Sequence, residues 1–130
     1  MLAATVADYM SHSLHSLEPA HSMAAARRLM RRHKIRHLPI LEKGDLKGVV
    51  SQRDLYFVES LDDTDPADIT VGEAMTEDVL AVAPGTPVAE VARQMAKERA
   101  GSVIVIEDGK AIGIFTTMDA LRVLAETASP

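Results

Sequence analysis

The sequence predicts an α+β fold built from two tandem β-α-β-β-α repeats, and three observations support this prediction. The two halves of the 130-residue chain align without a gap at a constant offset, which places Met10 on Met75 and Asp54 on Asp119. Each half carries an apolar stripe of helical period followed by two continuous apolar runs. The composition, with 47% apolar and 25% charged residues, is that of a folded globular chain. Together these features indicate one small structural unit present twice.

Each repeat begins with a short helical turn and a small strand. The turns are expected over residues 6–10 and 71–75, and the strands around residues 14–17 and 79–82. The helix that follows is clearest in the second repeat, where Thr86 is the expected N-cap and Pro87 the first helical residue. Apolar residues then recur along this helix at helical spacing: Val88, Val91, Ala92, Met95 and Ala96.

A β-hairpin and a closing helix complete each repeat. The apolar runs cover residues 38–41 and 46–50 in the first repeat, and residues 103–106 and 111–115 in the second. A turn containing Gly44 or Gly109 separates the two runs, which is a hairpin pattern. Because the runs are apolar throughout, both faces of the strands are expected to be buried. The closing helices are expected to begin near Asp54 and Asp119.

The repeats define the predicted domain organisation. The first repeat spans residues 1–61, an acidic linker spans residues 62–68, and the second repeat spans residues 69–130, with both repeats forming one compact module. The density of aspartates in the linker raises the alternative of a calcium-binding loop. The glycine and the terminal glutamate of such a loop are absent, so a solvated connector is the favoured interpretation.

The composition excludes several classes of protein. The chain has no cysteine, which excludes disulfides, thiolate metal sites and cysteine nucleophiles. No apolar run approaches the roughly 20 residues that span a bilayer, and the N-terminus lacks the pattern of a signal peptide. We therefore expect a cytoplasmic protein. A net charge of −5 with no Trp, two Phe and two Tyr argues against a general nucleic-acid coat.

Two segments carry the most information about function. In Gly48–Asp54 and Gly113–Asp119, a hydroxyl residue ends a buried strand and a carboxylate follows three positions later. This spacing suits a helix N-cap with an aspartate in the first turn. The same geometry also suits a ligand site, because a helix N-terminus favours phosphate and a carboxylate can bind a sugar diol. The spacing alone leaves both readings open.

The repeated pattern Gly-apolar-apolar-Ser/Thr-x-x-Asp resembles the cystathionine-β-synthase (CBS) domain. The resemblance extends from Thr5 to about Leu124 and implies a CBS pair, or Bateman module. In such modules the two repeats pack sheet to sheet about a pseudo-twofold axis. Clefts between them hold adenine nucleotides or S-adenosylmethionine. The resemblance implies a regulatory ligand sensor. Because it covers nearly all of the chain, we expect no attached effector domain and a response through a separate partner protein or a homodimer.

The resemblance also implies the residues of the nucleotide site. Asp54 and Asp119 would bind ribose hydroxyls, with Ser51 and Thr116 nearby for ribose or phosphate. Basic side chains of the first repeat would reach phosphates; these are Arg36, His37 and Arg53. The adenine and the rest of the nucleotide would contact Ile35, Pro39, Ala100, Gly101, Ser102 and Thr117. The second repeat is uncharged where the first carries its basic side chains, so we expect the Asp54 cleft to bind phosphate more strongly.

Several alternatives remain at this stage. The basic run from Arg27 to Arg36 suits a polar helix face, an acidic partner or, less well, nucleic acid. The five histidines are expected at the surface, without a metal site. No hydroxyl–His–Asp set can be argued, so we expect no catalysis and no catalytic cofactor. A structural or dimerisation module with vestigial clefts is the main competing function.

Overall fold

The computed structural model describes residues 4–128 and confirms the predicted α+β class. Six α-helices lie in this part of the chain: α1 (Val6–Tyr9), α2 (Met23–His33), α3 (Gln52–Glu59), α4 (Val71–Ala74), α5 (Val88–Glu98) and α6 (Thr117–Thr127). Five strands accompany them: β1 (His37–Glu42), β2 (Asp45–Ser51), β3 (Ala81–Val82), β4 (Ser102–Glu107) and β5 (Lys110–Thr116). A 3₁₀ turn covers Pro66–Asp68. None of the helices within residues 4–128 has the length and apolar character to cross a bilayer.

The chain forms two compact units, each with its own hydrophobic core. The Asp54 unit is residues 15–79 and contains α2, β1, β2, α3 and α4. The Asp119 unit combines residues 4–14 with residues 80–128 and contains α1, β3, β4, α5, β5 and α6. The short helix of each repeat therefore packs in the unit that holds the hairpin of the other repeat. The compact units differ in this way from the repeat boundaries drawn from the sequence.

Backbone hydrogen bonds and buried valines hold each short helix in place. In the Asp54 unit, Val71 N–H donates to the His21 carbonyl at 2.7 Å, and the Val71 side chain is fully buried. In the Asp119 unit, Val6 N–H donates to the Thr86 carbonyl at 2.9 Å, and Val6 is also fully buried. The acidic linker is also part of the Asp54 unit, because the 3₁₀ turn at its end packs against α2 and α3.

The hairpins form as the sequence predicts. Strands β1 and β2 pair antiparallel with Ile40 opposite Gly48, and β4 and β5 pair antiparallel with Val105 opposite Gly113. The central hairpin residues are buried in both units. The core of the Asp54 unit consists of Met23, Ala26, Met30, Leu38, Ile40, Val50, Leu55, Val58 and Val71. The core of the Asp119 unit consists of Val6, Met10, Val88, Val91, Met95, Val103, Val105 and Phe115.

Two local predictions need correction. The strand expected around residues 14–17 is a single parallel bridge between Leu17 and Ile40, because only Leu17 exchanges hydrogen bonds with β1. The second correction concerns α5, which begins at Val88 with Pro87 as its N-cap, one residue later than expected. Val88 N–H donates to the Ala4 carbonyl at 3.0 Å. Pro87 has ψ at 135°, outside the helical range, so it cannot be the first helical residue.

Gly48 and Gly113 lie where the chain segment after each short helix crosses a strand. A Cβ atom on Gly48 would lie 2.7 Å from both Met75 Sδ and the Thr76 carbonyl oxygen. A Cβ atom on Gly113 would lie 2.4 Å from Met10 Sδ. Thr76 exchanges two backbone hydrogen bonds with Val49. The glycines therefore allow these segments to approach the strands that lead into the two motifs.

We expect Gly48→Ala to destabilise the fold. The new methyl group would collide with a backbone carbonyl that is already hydrogen-bonded, so the crossing segment would have to move. The expected loss in the free energy of unfolding is about 1–3 kcal/mol, measured by urea unfolding followed by circular dichroism. Gly85→Ala is the matched control, because nothing lies within 4 Å of a Cβ at that position. Equal unfolding midpoints for the two variants would contradict this account.

Candidate functional site

The first motif joins the end of β2 to the start of α3. Ser51 N–H donates to Asp54 Oδ2 at 2.8 Å, and the Ser51 hydroxyl donates to the same oxygen at 3.0 Å. In return, Asp54 N–H donates to Ser51 Oγ at 3.2 Å. These bonds form a capping box, which fixes the aspartate side chain at the helix start. Among residues 4–128 no group donates to Asp54 Oδ1, and the side chain is half-buried.

The second motif has the same box but a different environment. Thr116 N–H donates to Asp119 Oδ2 at 2.8 Å, and the Thr116 hydroxyl donates to it at 3.2 Å. Here, however, the Arg122 guanidinium donates to Oδ1. Only 4% of Asp119 is exposed. Both oxygens of the second carboxylate are therefore engaged, whereas one oxygen of the first is available.

Strand pairing brings the other predicted residues of the first repeat to the Asp54 motif. His37 lies opposite Ser51 in the β1–β2 ladder. Gln52 N–H, at the start of α3, donates to the Arg36 carbonyl at 2.8 Å. The side chains of Arg36 and Arg53 are exposed, and that of His37 is half-buried. The structure thus brings the backbone positions of Asp54, Arg36, His37 and Arg53 into one region of the Asp54 unit.

The corresponding region of the Asp119 unit is assembled in the same way. Ser102 lies opposite Thr116 in the β4–β5 ladder and is buried. Thr117 N–H donates to the Gly101 carbonyl at 3.1 Å, and the Thr117 hydroxyl also donates to it at 3.3 Å. Ala100, immediately before Gly101, is half-buried. The positions equivalent to Arg36, His37 and Arg53 carry Gly101, Ser102 and Met118, none of which is basic.

Two of the predicted contact residues are buried, wholly or in part, in the interior of the Asp54 unit. Pro39 is fully buried within β1, so its side chain is not at the surface. Ile35 is half-buried and packs against the hydrophobic core. Their side chains therefore support the strand that carries Arg36 and His37.

The electrostatic environment of His37 reflects this arrangement. Burial lowers the pKa of His37 below its usual value of 6.5, and the Arg36 charge lowers it further. The Asp54 carboxylate acts in the opposite direction and raises it. The unfolded chain consequently takes up this proton first as the pH falls, so His37 reduces stability below about pH 6.5.

Sequence reasoning missed the contribution of Arg122. The side chain lies three residues after Asp119 on α6, and pairs at this spacing meet on one helix face. This three-residue spacing is the feature of the sequence from which the contact could have been predicted. Arg122 also lines an open surface depression of the Asp119 unit, together with Ala4, Asp8, Tyr9 and Glu126. The Tyr9 hydroxyl donates to Glu126 Oε2 at 2.8 Å across this depression, and this bond raises the pKa of Tyr9.

His15, His33 and the basic helix α2 lie in the Asp54 unit outside the motif. The rings of His15 and His33 stack with centroids 3.6 Å apart, a pairing that the sequence spacing did not predict. Within residues 4–128 no cluster of three or more His, Asp or Glu side chains is arranged to hold a metal. On α2, Arg27 pairs with Glu59 at 3.1 Å. The remaining arginines of this helix are exposed: Arg28, Arg31 and Arg32.

Comparison with known proteins identifies the fold family. The family model for the CBS domain matches residues 6–59 and 71–126. The inosine-5′-monophosphate dehydrogenase of Korarchaeum cryptofilum is 34% identical over 105 residues, which cover 80% of this chain and 21% of that protein. The chain thus spans about a fifth of the length of this relative.

Two solved structures are similar over almost the whole chain. The CBS domain pair of protein MJ0100, in complex with 5′-methylthioadenosine and S-adenosyl-L-methionine, has a TM-score of 0.88 and 26% identity. The match covers 98% of this chain and 100% of that one. The structure of CBSX2 in complex with AMP has a TM-score of 0.81 and 30% identity, with 94% and 96% of the two chains covered.

We expect the pKa of His37 to respond in opposite directions to its two charged neighbours. Removing the positive charge with Arg36→Gln should raise this pKa, and removing the negative charge with Asp54→Asn should lower it. Titration of the imidazole resonances by NMR measures both effects, and the wild-type midpoint should lie below 6.5. Shifts of the same sign in the two variants would show that the three side chains are not arranged as described.

Proposed function

This chain belongs to the CBS domain family, and we propose that it is a regulatory module that binds an adenosine-containing nucleotide at the Asp54 motif. The observation that carries this proposal is the available Oδ1 of Asp54 beside Arg36 and His37. Two similar CBS structures, one in complex with AMP and one with S-adenosyl-L-methionine and 5′-methylthioadenosine, support the adenosine class of ligand. In this role the protein is a sensor whose occupancy is communicated to a partner protein.

The proposed chemistry divides the Asp54 carboxylate between two tasks. Oδ2 accepts the two bonds from Ser51 that cap α3, and Oδ1 accepts hydrogen bonds from the ribose hydroxyls. An ionised carboxylate has lone pairs for both sets of donors. Bonds from a hydroxyl to a charged oxygen are also stronger than those between neutral groups. The helix cap and the ligand site are therefore compatible on one side chain.

The basic side chains of the first repeat supply the charge for a phosphate. Arg36 and Arg53 are exposed, so their guanidinium groups are free to turn toward a ligand. A guanidinium donates two parallel hydrogen bonds to phosphate oxygens, which gives both strength and direction. The Asp119 motif lacks this pair of arginines, and its carboxylate is already bound by Arg122. We therefore assign the stronger nucleotide site to Asp54.

A sensor must also couple its ligand to a second state. A nucleotide that bound two states of the protein equally would not shift the equilibrium between them, however tightly it bound. The coupling therefore requires that the partner, or a second copy of this chain, recognises the occupied form differently. No catalytic step is part of this proposal, since binding energy alone produces the response.

A specific observation favours self-association as a second function. All six large apolar side chains that are exposed within residues 4–128 lie on α3, on α6 or just after α3: Tyr56, Phe57, Leu61, Met118, Leu121 and Leu124. These two helices are equivalent in the repeats. Each unit thus exposes apolar side chains on or just after its closing helix, and exposed apolar surface of this kind marks an interaction site. Equivalent helices that both expose such side chains suit a symmetric contact with a second copy. We infer that the protein forms a homodimer through α3 and α6.

Asp54→Asn should separate ligand binding from helix capping. The amide oxygen of asparagine still accepts a bond from Ser51 N–H, but its NH₂ group accepts nothing from ribose. We expect AMP affinity, measured by isothermal titration calorimetry, to fall about ten- to a hundredfold with little change in stability. Ser51→Ala should show the reverse pattern: about 1 kcal/mol lower stability and a smaller effect on AMP affinity.

Two controls complete this experiment. Asp119→Asn should weaken AMP binding less than Asp54→Asn, because Arg122 already occupies the second carboxylate. A thermal-shift measurement on the wild-type protein should show a higher melting temperature with AMP or S-adenosylmethionine. If neither ligand raises the melting temperature nor binds by calorimetry, the nucleotide proposal is wrong and the interaction module is favoured.

The homodimer should dissociate when charge is placed on its apolar helices. We expect Leu121→Glu, at a position that is 52% exposed on α6, to convert a dimer to a monomer in sedimentation velocity experiments. Burying a carboxylate at an apolar contact is unfavourable. Gln94→Glu adds the same charge at an exposed position of α5 and should leave the dimer intact. A monomeric wild-type protein at all concentrations would refute self-association.

A further inference from the structure

We propose that Arg122 is an intramolecular competitor for Asp119, so that the second motif binds a nucleotide only when this arginine leaves the carboxylate. This inference rests on the proposed function and concerns the regulation of its second site. It makes Arg122 the residue that sets the difference in affinity between the two motifs.

The contacts of Asp119 support the competition directly. Oδ2 is held by Thr116, as in the equivalent position of the first motif. Oδ1 is the oxygen that a ribose hydroxyl would need, and it accepts from the Arg122 guanidinium. The carboxylate side chain is only 6% exposed. A buried carboxylate retains a charged partner strongly, so a neutral hydroxyl can replace Arg122 only at a cost in affinity.

The Arg122 side chain has the freedom to move away. It is 64% exposed, in contrast to its buried partner. Glu126 lies one helical turn further along α6, a spacing at which side chains also meet. Arg122 and Glu126 both line the surface depression described above. Glu126 Oε2 accepts a bond from Tyr9, and no group within residues 4–128 donates to Oε1. Glu126 is therefore the alternative partner for the released guanidinium.

The first repeat provides a natural comparison. Phe57 occupies the position in α3 that Arg122 occupies in α6, and Leu61 occupies the position of Glu126. Neither side chain has a hydrogen-bond donor for Asp54. Asp54 Oδ1 is accordingly without a donor among the described residues, whereas Asp119 Oδ1 has one. The same motif is thus found in an available and in an occupied form within one chain.

The competition predicts a direction that distinguishes it from direct ligand binding. If Arg122 competes with the nucleotide, removing its charge should tighten AMP binding at the Asp119 motif. If Arg122 instead contacts the phosphate of a bound nucleotide, removing it should weaken binding. The sign of one change in affinity therefore separates the two roles.

The experiment measures AMP binding by calorimetry in an Asp54→Asn background, so that the second motif dominates. We expect Asp54→Asn with Arg122→Gln to bind AMP about tenfold more tightly than Asp54→Asn alone. Asp54→Asn with Arg122→Lys keeps the positive charge at position 122, so its AMP affinity should stay close to that of Asp54→Asn alone. The matched control is Arg93→Gln, which removes an exposed arginine from α5 of the same unit and should change nothing. Circular dichroism and urea unfolding verify that each variant is folded.

The outcomes separate this inference from the proposed function. An unchanged or weaker affinity of the Arg122→Gln protein, in a chain whose wild type binds AMP, overturns the competition and leaves the nucleotide proposal standing. Equal gains in AMP affinity from Arg122→Gln and Arg93→Gln also overturn the competition, because the gain would then come from the change in net charge. Failure of the wild type and every variant to bind AMP overturns the proposed function, and the competition with it.

Discussion

In both motifs, one oxygen of an aspartate accepts two hydrogen bonds from the hydroxyl residue three positions earlier, and the candidate site depends on this capping box. The bonds from Ser51 and Thr116 to Oδ2, between 2.8 and 3.2 Å long, fix the carboxylates at the helix starts. Capping and ligand binding are therefore not exclusive roles. The cap orients the side chain and leaves Oδ1 open to other donors. Within residues 4–128 no group donates to Asp54 Oδ1, whereas Arg122 donates to Asp119 Oδ1.

The segments that follow the short helices α1 and α4 also hold in place the strands that lead into the two motifs. Met75 and Thr76 lie against Gly48, and Met10 lies against Gly113. Backbone hydrogen bonds between Thr76 and Val49, and between Ser11 and Ile114, fix these approaches just before the motif hydroxyls. The position of Ser51 or Thr116 therefore depends on a short helix supplied by the other repeat. This dependence gives a physical reason why both short helical turns carry a valine and, four residues later, a methionine: Val6 and Met10 in one, Val71 and Met75 in the other.

The sequence predicted the repeat, the hairpins and the capping geometry because each is encoded locally. Continuous apolar runs separated by a glycine-containing turn specify the hairpins, and a hydroxyl residue followed three positions later by an aspartate specifies a helix start. The packing of α1 and α4, each in the unit that holds the hairpin of the other repeat, was not predictable in this way. The two repeats share the same local pattern, so either hairpin offers a suitable glycine. The Arg122 contact was also missed, although its spacing on α6 permits it, because spacing does not reveal whether a carboxylate oxygen is free. The nucleotide contacts remain predictions from the family resemblance.

The most direct test of the account is a crystal structure of the protein with AMP. The account predicts the nucleotide at the Asp54 motif, with a ribose hydroxyl donating to Asp54 Oδ1 while Ser51 continues to donate to Oδ2. A guanidinium of Arg36 or Arg53 should lie against the phosphate. A structure in which AMP binds elsewhere, or in which Asp54 Oδ1 makes no contact with it, would contradict the central claim that one carboxylate serves both the helix and the ligand.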